Sequence, residues 1–497
     1  MNNKMIRIIC FVLLILFCFL TIASCSEKTE TAGGTETEEI NSVIAETTQG
    51  DPFDILAANA PDLEGLTLNF LARPYSSNAA AYVIYTDICA AETTGEPLND
   101  AIYARNQRVA EKYNVNFTWS EGDASHVQKT VLAQDAVYDF VNIALASHIS
   151  LANSGHLTDL NTIAALDLTQ PYWDANCSRL MSVCGKLYLT MGEINTMDDR
   201  YTWCYYFNKA LAEDYGLETP YDAVLGGTWT FEKMQAMAQS TAADINGDSV
   251  MNQEDSWGIL SENYGFYLTV LGSGQRCIEK DAEDKPVFSM NNDRMIAALE
   301  KVHAIYGNEN VTFLAENWYS IASNNVWSEY IYPMFMNNQA LFFMGHLDLA
   351  TTTFRDMENP YGIIPTPKLD EEQENFWCSG TEYGMTAISI PVTNTDYETT
   401  STVLEAMAAA SVTTVTPAYY NTVLINKGLR DEQSPIMLEI IMNSKTFDLG
   451  FLNDWGGSKS LCFGLISAGG KFASVIAAAE EKVMKGLEKA VSDYENR

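Results

Sequence analysis

LTLNF at residues 66–70, VNFTW at 115–119 and YDFVNI at 138–143 decide the architecture of this chain. In the first two, apolar residues alternate with Thr67, Asn69, Asn116 and Thr118, the period of a half-buried strand. The third is a buried strand, expected to end in a loop at Ser147-His148. Between the first two, Ile102, Val109, Ala110 and Tyr113 share one helical face behind a cap expected at Asn99-Asp100. A helix over about 124–134 leads into the third strand. Strand, helix, strand in repetition specifies a parallel sheet and an α/β fold class. The loop Arg73-Pro74-Tyr75-Ser76-Ser77-Asn78 then lies at the carboxyl end of the first strand, where α/β sheets collect ligands.

Further along, Tyr201 to Phe207 reads as an apolar strand, and Asn208-Lys209 opens the next helix. Thr230 is placed to cap a helix whose buried stripe is Phe231, Met234, Met237 and Ala238. Trp229 and Trp257 are assigned to packing. The chain of 497 residues, 47% hydrophobic and 11% aromatic, exceeds what one core normally holds, so two lobes are expected.

The amino terminus has the layout of a lipoprotein signal. Lys4 and Arg7 precede the apolar run Ile8 to Leu20, and small residues lead to Cys25. That run is too short to span a membrane and has the flanks of a secretory signal. Residues 1–24 are therefore expected to be removed and Cys25 to carry lipid, giving an extracytoplasmic protein anchored to the cell membrane; the alternative is a secreted protein whose cut falls beside a cysteine. Ser, Glu, Thr and Gly dominate the segment after Cys25, and residues 25–64 are read as a flexible tether. The net charge of −36 repels nucleic acid and anionic headgroups, so neither is an expected partner. Beyond Cys10, Cys18 and Cys25, seven cysteines remain with no C-x-x-C pair, which suits small apolar core residues better than a disulfide framework.

The ordered fragments GKLYLTMGEINTMDDRYTWCYYFNKAL (185–211), GTWTFEKMQAMA (227–238), NNQALFFMGHLDL (337–349), YGIIPTPKLDE (361–371) and GTEYGMTAISIPVTN (380–394) resemble the extracellular solute-binding proteins of ABC importers, family 1, the class similar to maltose-binding protein. The resemblance covers about residues 65–490. It implies a two-lobe periplasmic-binding-protein-like fold of type II with three interlobe crossovers. On that plan lobe one comprises 65–192 and 347–408, and lobe two 198–345 and 413–497. The crossovers fall near Met191 to Met197, Gly345 to Leu347 and Ala409 to Val412.

The sharpest local motif is Asp244 to Asp255. Side-chain oxygens at Asp244, Asn246, Asp248, Asn252 and Asp255, with the Val250 carbonyl, have the spacing a Ca²⁺ loop requires, and a structural Ca²⁺ is the expected cofactor. Ser249 stands where such loops carry glycine, and Asp255 where they carry Glu; the alternative is a solvated acidic turn. Enzyme motifs are absent. The five histidines lack metal-ligand spacing, Gly380-Thr381-Glu382-Tyr383-Gly384 has Glu at the serine position of a nucleophile elbow, and Gly464 to Lys471 fails as a phosphate loop. A carboxylate pair at about 5 Å can arise by chance among 65 acidic residues, which keeps a glycosidase as an alternative.

Sugar sites combine aromatic platforms with carboxylate, amide and Arg partners. Where the family plan implies a cleft, the candidate ligand-binding residues are Arg73, Tyr75, His148, Asp198, Arg200, His346, Asp348, Glu382, Tyr383 and Trp455. Tyr264, Trp318 and Trp327 are candidates that serve equally as packing residues, and Asp198, Asp199 and Arg200 serve equally as a hinge salt bridge. The resemblance implies no chemistry: a monomer that captures a carbohydrate, an oligosaccharide in particular, and passes it to permease subunits energised by a cytoplasmic ATPase. Another solute class, such as a peptide, and a surface glycosidase or adhesin are the alternatives. Cys25→Ser is expected to yield a chain that no longer partitions into detergent as a mature lipoprotein; a Ser variant that still does so contradicts the lipid-anchor reading.

Overall fold

The computed structural model describes residues 50–74, 87–424, 429 and 431–497. The signal, Cys25, the tether up to residue 49 and Tyr75 lie outside the described residues. The part of the expected tether that is described is not free chain. Asp51 caps a short helix, Pro52–Leu56, whose Phe53 is buried against Tyr113, and Arg108 lies over the Phe53 ring while pairing with Asp51 and Asp54. Phe53 docks the segment together with Ala57, and Ala60 and Leu63 pack beside them.

The first sheet contains β1 (Leu66–Ala72), β2 (Val115–Glu121), β3 (Phe140–Ala144) and β11 (Thr386–Ser389) in the order β11-β3-β1-β2. β1 runs parallel to β2 and β3, as the strand-helix-strand pattern dictates, and β11 closes the edge antiparallel to β3. The intervening helices are Pro97–Tyr113 and Ala124–Ala133. Glu96 caps the former through the Asn99 N–H, displacing the cap expected at Asn99-Asp100, because Pro97 fixes the first helical turn upstream. β3 does not lead into a loop at Ser147-His148; the chain turns directly into the helix Leu145–Asn153.

The second sheet contains β4 (Trp203–Asn208), β5 (Trp257–Ser261), β8 (Thr312–Leu314), β9 (Ala340–His346) and β10 (Tyr361–Ile364) in the order β10-β4-β9-β5-β8. β5 is parallel to β8 and β9, whereas β4 is antiparallel to both β9 and β10. A hairpin of β6 (Ile278–Lys280) and β7 (Pro286–Phe288) stands apart. Trp229 and Trp257 are fully packed in this half, and Thr230 caps Phe231–Thr241 with the expected buried stripe.

Three passages connect the sheets, and two fall elsewhere than the family plan puts them. The first runs through the short helix Met197–Arg200 into β4. The second does not occur at Gly345–Leu347. Residues after β9 return as β10 on the same sheet, pairing Tyr361–Ile364 with Tyr205–Asn208, and the chain reaches the first sheet only at β11. The segment 347–408 is thus divided between the sheets. The third passage lies beyond 409–412: the helix Val415–Leu424 still packs on Pro97–Tyr113, and the helix Ser434–Asn443 is the one that covers β10.

Leu68, Phe70, Val115, Phe140 and Ile388 pack against the inner face of the helix Tyr397–Ser411. On the other side, Leu71, Val141 and Ile143 belong to an apolar cluster that continues into the second sheet. The two halves therefore share buried surface.

Candidate ligand-binding site between the two sheets

Where β4 and β9 end nearest the first sheet, their register sets Trp203 opposite His346. His346 stacks on Tyr201 with ring centroids 4.5 Å apart, and Trp203 lies 5.9 Å from Tyr264, the second residue of the helix Asn263–Leu271. The loop before β11 completes the group. The Thr381 carbonyl accepts from Gly384 and Met385, while the Glu382 carbonyl accepts from Ala146 after β3. Gly384 is required: a Cβ there would run into the Tyr201 ring.

From this anchored loop Glu382 reaches the opposite half. Its carboxylate accepts a hydrogen bond from the Tyr264 hydroxyl and forms an ion pair with Lys459, from the helix Ser458–Gly464. The Lys459 ammonium lies 5.0 Å from the Tyr383 ring centroid, with Phe451 and Phe463 also within 6 Å. Glu382 is fully buried, while Tyr383 is half-exposed. At the end of β1, Arg73 donates to the Gly384 carbonyl at 2.7 Å; burial lowers its guanidinium pKa, with Tyr201 and Asp87 acting against that. Burial pushes the Tyr264 hydroxyl well up, and Glu382 adds to it. Burial holds the His346 imidazole down to about 4, with Asp348 raising and Arg200 lowering it, so this ring is neutral at ordinary pH.

Deeper, at the first passage, Lys445 lies within 2.8 Å of Asp198, 2.7 Å of Asp199 and 3.2 Å of Asp174. Burial alone would lower this ammonium, but the three aspartates hold it well above its ordinary value. One positive charge cannot compensate three buried negative ones. Burial accordingly pushes the Asp198 and Asp199 carboxyls up; Lys445 opposes this, and for Asp198 the Asp199 charge adds to it. Beside them Arg200 and Asp348 form a buried ion pair at 2.5 Å.

The candidates thus separate. Arg73, Tyr264, His346, Glu382 and Tyr383 come together. Asp198 is spent on Lys445, and Arg200 and Asp348 on each other, which is the hinge salt-bridge alternative. His148 is a correction: it is wholly buried in the helix Leu145–Asn153, bonded to Ser389 Oγ at 2.9 Å and to the Ile143 N–H, and it knits β3 to β11. Trp455 is a second correction. Its glycine neighbours serve close approach of the helix Phe472–Glu495, since a Cβ on Gly456 would strike the Lys482 carbonyl, and the indole packs edge-on against Tyr494. Trp318 stacks on Phe313, and Trp327 packs against Tyr332 and Phe343. Sequence reading missed Trp203, Lys445 and Lys459: an indole inside an apolar strand and isolated lysines carry no local signal.

In the loop 244–255, Asp244 accepts from the Gly247 and Ser249 N–H groups, Asp248 from Val250, and Asp255 from Ile245 and Asn252. Ser249 takes the left-handed backbone, φ 65°, that glycine usually supplies at this position. Each engaged carboxylate oxygen retains a second lone pair, so the donor set is compatible with a hard cation. No group of three or more His, Cys, Asp or Glu side chains converges as a metal site among the described residues.

No protein-family model and no curated relative matches the chain. Solved structures do match in fold. The sugar-binding protein MalE from Xanthomonas citri superposes with a TM-score of 0.56 at 12% identity, covering 87% of this chain and 100% of that one. The cyclic alpha-maltosyl-1,6-maltose binding protein from Arthrobacter globiformis gives 0.56 at 12%, covering 86% and 100%. UgpB from Mycobacterium tuberculosis, in complex with glycerophosphocholine, gives 0.52 at 16%, covering 80% and 98%. The chain has the two-lobe periplasmic-binding-protein-like fold. No helix among the described residues is long and apolar enough to cross a membrane.

Carboxyls whose pKa is raised in the folded state stabilise the fold below their ordinary range and withdraw that contribution as pH rises. The melting temperature is therefore expected to fall from about pH 5 to about pH 8, and to fall less in Asp198→Asn, which cannot ionise there. Parallel pH profiles for the two proteins would contradict an ionisable, destabilised Asp198.

Proposed function

We propose that this chain is the solute-binding component of an ABC importer, anchored through lipid at Cys25, that holds a carbohydrate between its lobes and presents it to permease subunits. The observation that carries this reading is the cluster of Tyr201, Trp203, Tyr264, Tyr383 and His346 around the Glu382 to Lys459 contact, placed between the sheets. Aromatic faces suit the C–H faces of sugar rings, and the polar rim suits hydroxyls. Two of the matched structures are named for sugars. An oligosaccharide is the specific ligand proposed. The role proposed is capture without chemistry.

The mechanism is closure about the three passages. A ligand touching residues of both halves binds the closed arrangement more tightly than the open one, and shifts the equilibrium by that difference in affinity. Glu382 is suited to this, since its backbone is fixed to one half and its carboxylate meets the other. Asp244, Asn246, Asp248, Val250, Asn252 and Asp255 are proposed to hold a structural Ca²⁺ that fixes the loop between the helix Phe231–Thr241 and β5.

A thermal-shift panel of maltotriose, cellotriose, xylotriose and their monosaccharides is expected to give at least one binder; saturation to about 100 times Kd stabilises by about 2.7 kcal/mol. A panel in which glycerophosphocholine or a peptide stabilises and no carbohydrate does would replace the carbohydrate reading. Separately, EGTA is expected to lower the melting temperature of the unliganded protein by several degrees and Ca²⁺ to restore it, an effect lost in Asp244→Ala. Identical melting with and without EGTA returns the loop to an acidic turn.

A further inference from the structure

We propose that the indole N–H of Trp203 and Nδ1 of His346 together bind one hydroxyl of the ligand, and that this pair selects uncharged, hydroxylated solutes. The proposal rests on the carbohydrate reading of this site and deepens it.

Three other buried indoles, among the described residues, are satisfied. Trp173 donates to Glu405 at 3.0 Å, Trp229 to the Pro365 carbonyl at 3.0 Å and Trp257 to the Asn252 carbonyl at 2.9 Å. Trp203 differs from these three: it is 4% exposed, and its Nε1 is buried with no partner. The His346 Nδ1 atom is likewise buried without a partner. These two side chains face each other across β4 and β9, with ring centroids 6.5 Å apart. A buried donor left unpaired is costly and calls for an explanation, an absent partner being one. Both rings are held in place. His346 stacks on Tyr201, its carbonyl accepts from the Tyr206 hydroxyl at 2.9 Å, and Trp203 packs on Tyr264.

The chemistry of the missing partner follows from the two nitrogens. An indole N–H only donates, so the partner must accept; an ammonium fails. A neutral imidazole presents Nδ1 as donor in one tautomer and as acceptor in the other. A carboxylate serves only the first. A hydroxyl, which accepts from Trp203 and either accepts from or donates to His346, serves both. Two nearby charges are already matched: Glu382 is paired with Lys459, and Arg200 with Asp348.

The test measures calorimetric affinity of the full chain for maltotriose, cellotriose and xylotriose, with glucuronate and glycerophosphocholine as charged probes, for the intact protein, Trp203→Phe, His346→Phe and the double variant. Phe keeps a ring at each position and removes the nitrogen. For a trisaccharide that binds the intact protein, each single variant is expected to lose tenfold or more in affinity. The double variant is expected to lose less than the product of the two, because both nitrogens hold one oxygen. The indole ¹H–¹⁵N resonance that disappears in Trp203→Phe is expected to move on adding that trisaccharide to the intact protein. Unchanged affinity in both single variants with an unmoved Trp203 resonance overturns the proposal and leaves the carbohydrate reading standing. Binding of glucuronate or glycerophosphocholine in place of every trisaccharide, or of none of the probes, overturns both.

Discussion

Lys445 is the constraint on which the joined halves depend. Its ammonium is shared by Asp174 from beside the first sheet and by Asp198 and Asp199 from the first passage, while its own backbone lies in a short parallel bridge with Cys378. Removing the Lys445 ammonium would leave buried carboxylates uncompensated, at a cost of about 3 to 5 kcal/mol. Any relative motion of the sheets must either carry this cluster along as a pivot or break it. The neighbouring Arg200 to Asp348 pair ties the first passage to the residues that follow β9. Ion pairs that hold a hinge are withdrawn from ligand recognition, which is why the charged candidates near the passages resolve into structure.

What remains at the site is aromatic and polar, with its one carboxylate matched by a lysine. Glu382 meets Lys459 and Tyr264, and His346 is kept neutral by burial. Low dielectric strengthens the Glu382 interactions and penalises any bare ion brought beside them. On the proposed reading, affinity comes from ring faces and hydroxyl hydrogen bonds, with the Glu382 contact closing the two halves around them.

Much of the fold was legible from the chain because periodicity reports local burial. LTLNF and VNFTW became parallel neighbours, Thr230 caps its helix, and Trp229 and Trp257 are packed. The misreadings have physical causes. The family plan puts YGII (361–364) with lobe one, whereas its pairing with Tyr205–Asn208 puts β10 on the second sheet; an apolar run suits either sheet. Phe53 docks residues that composition marks as a linker. His148 is a core histidine because a strand turns into a helix without the expected loop. Trp455 precedes Gly456, a glycine that admits a neighbouring helix. In the site, single residues at the ends of β4 and β9 meet only through register, which no local pattern encodes.

Closure around a bound solute is the central claim, and small-angle X-ray scattering of the full chain tests it most directly. With a carbohydrate that binds by calorimetry added to saturation, the radius of gyration is predicted to fall and the interlobe features of the distance distribution to sharpen. Saturable binding with an unchanged scattering profile, or an expansion on binding, would contradict the account.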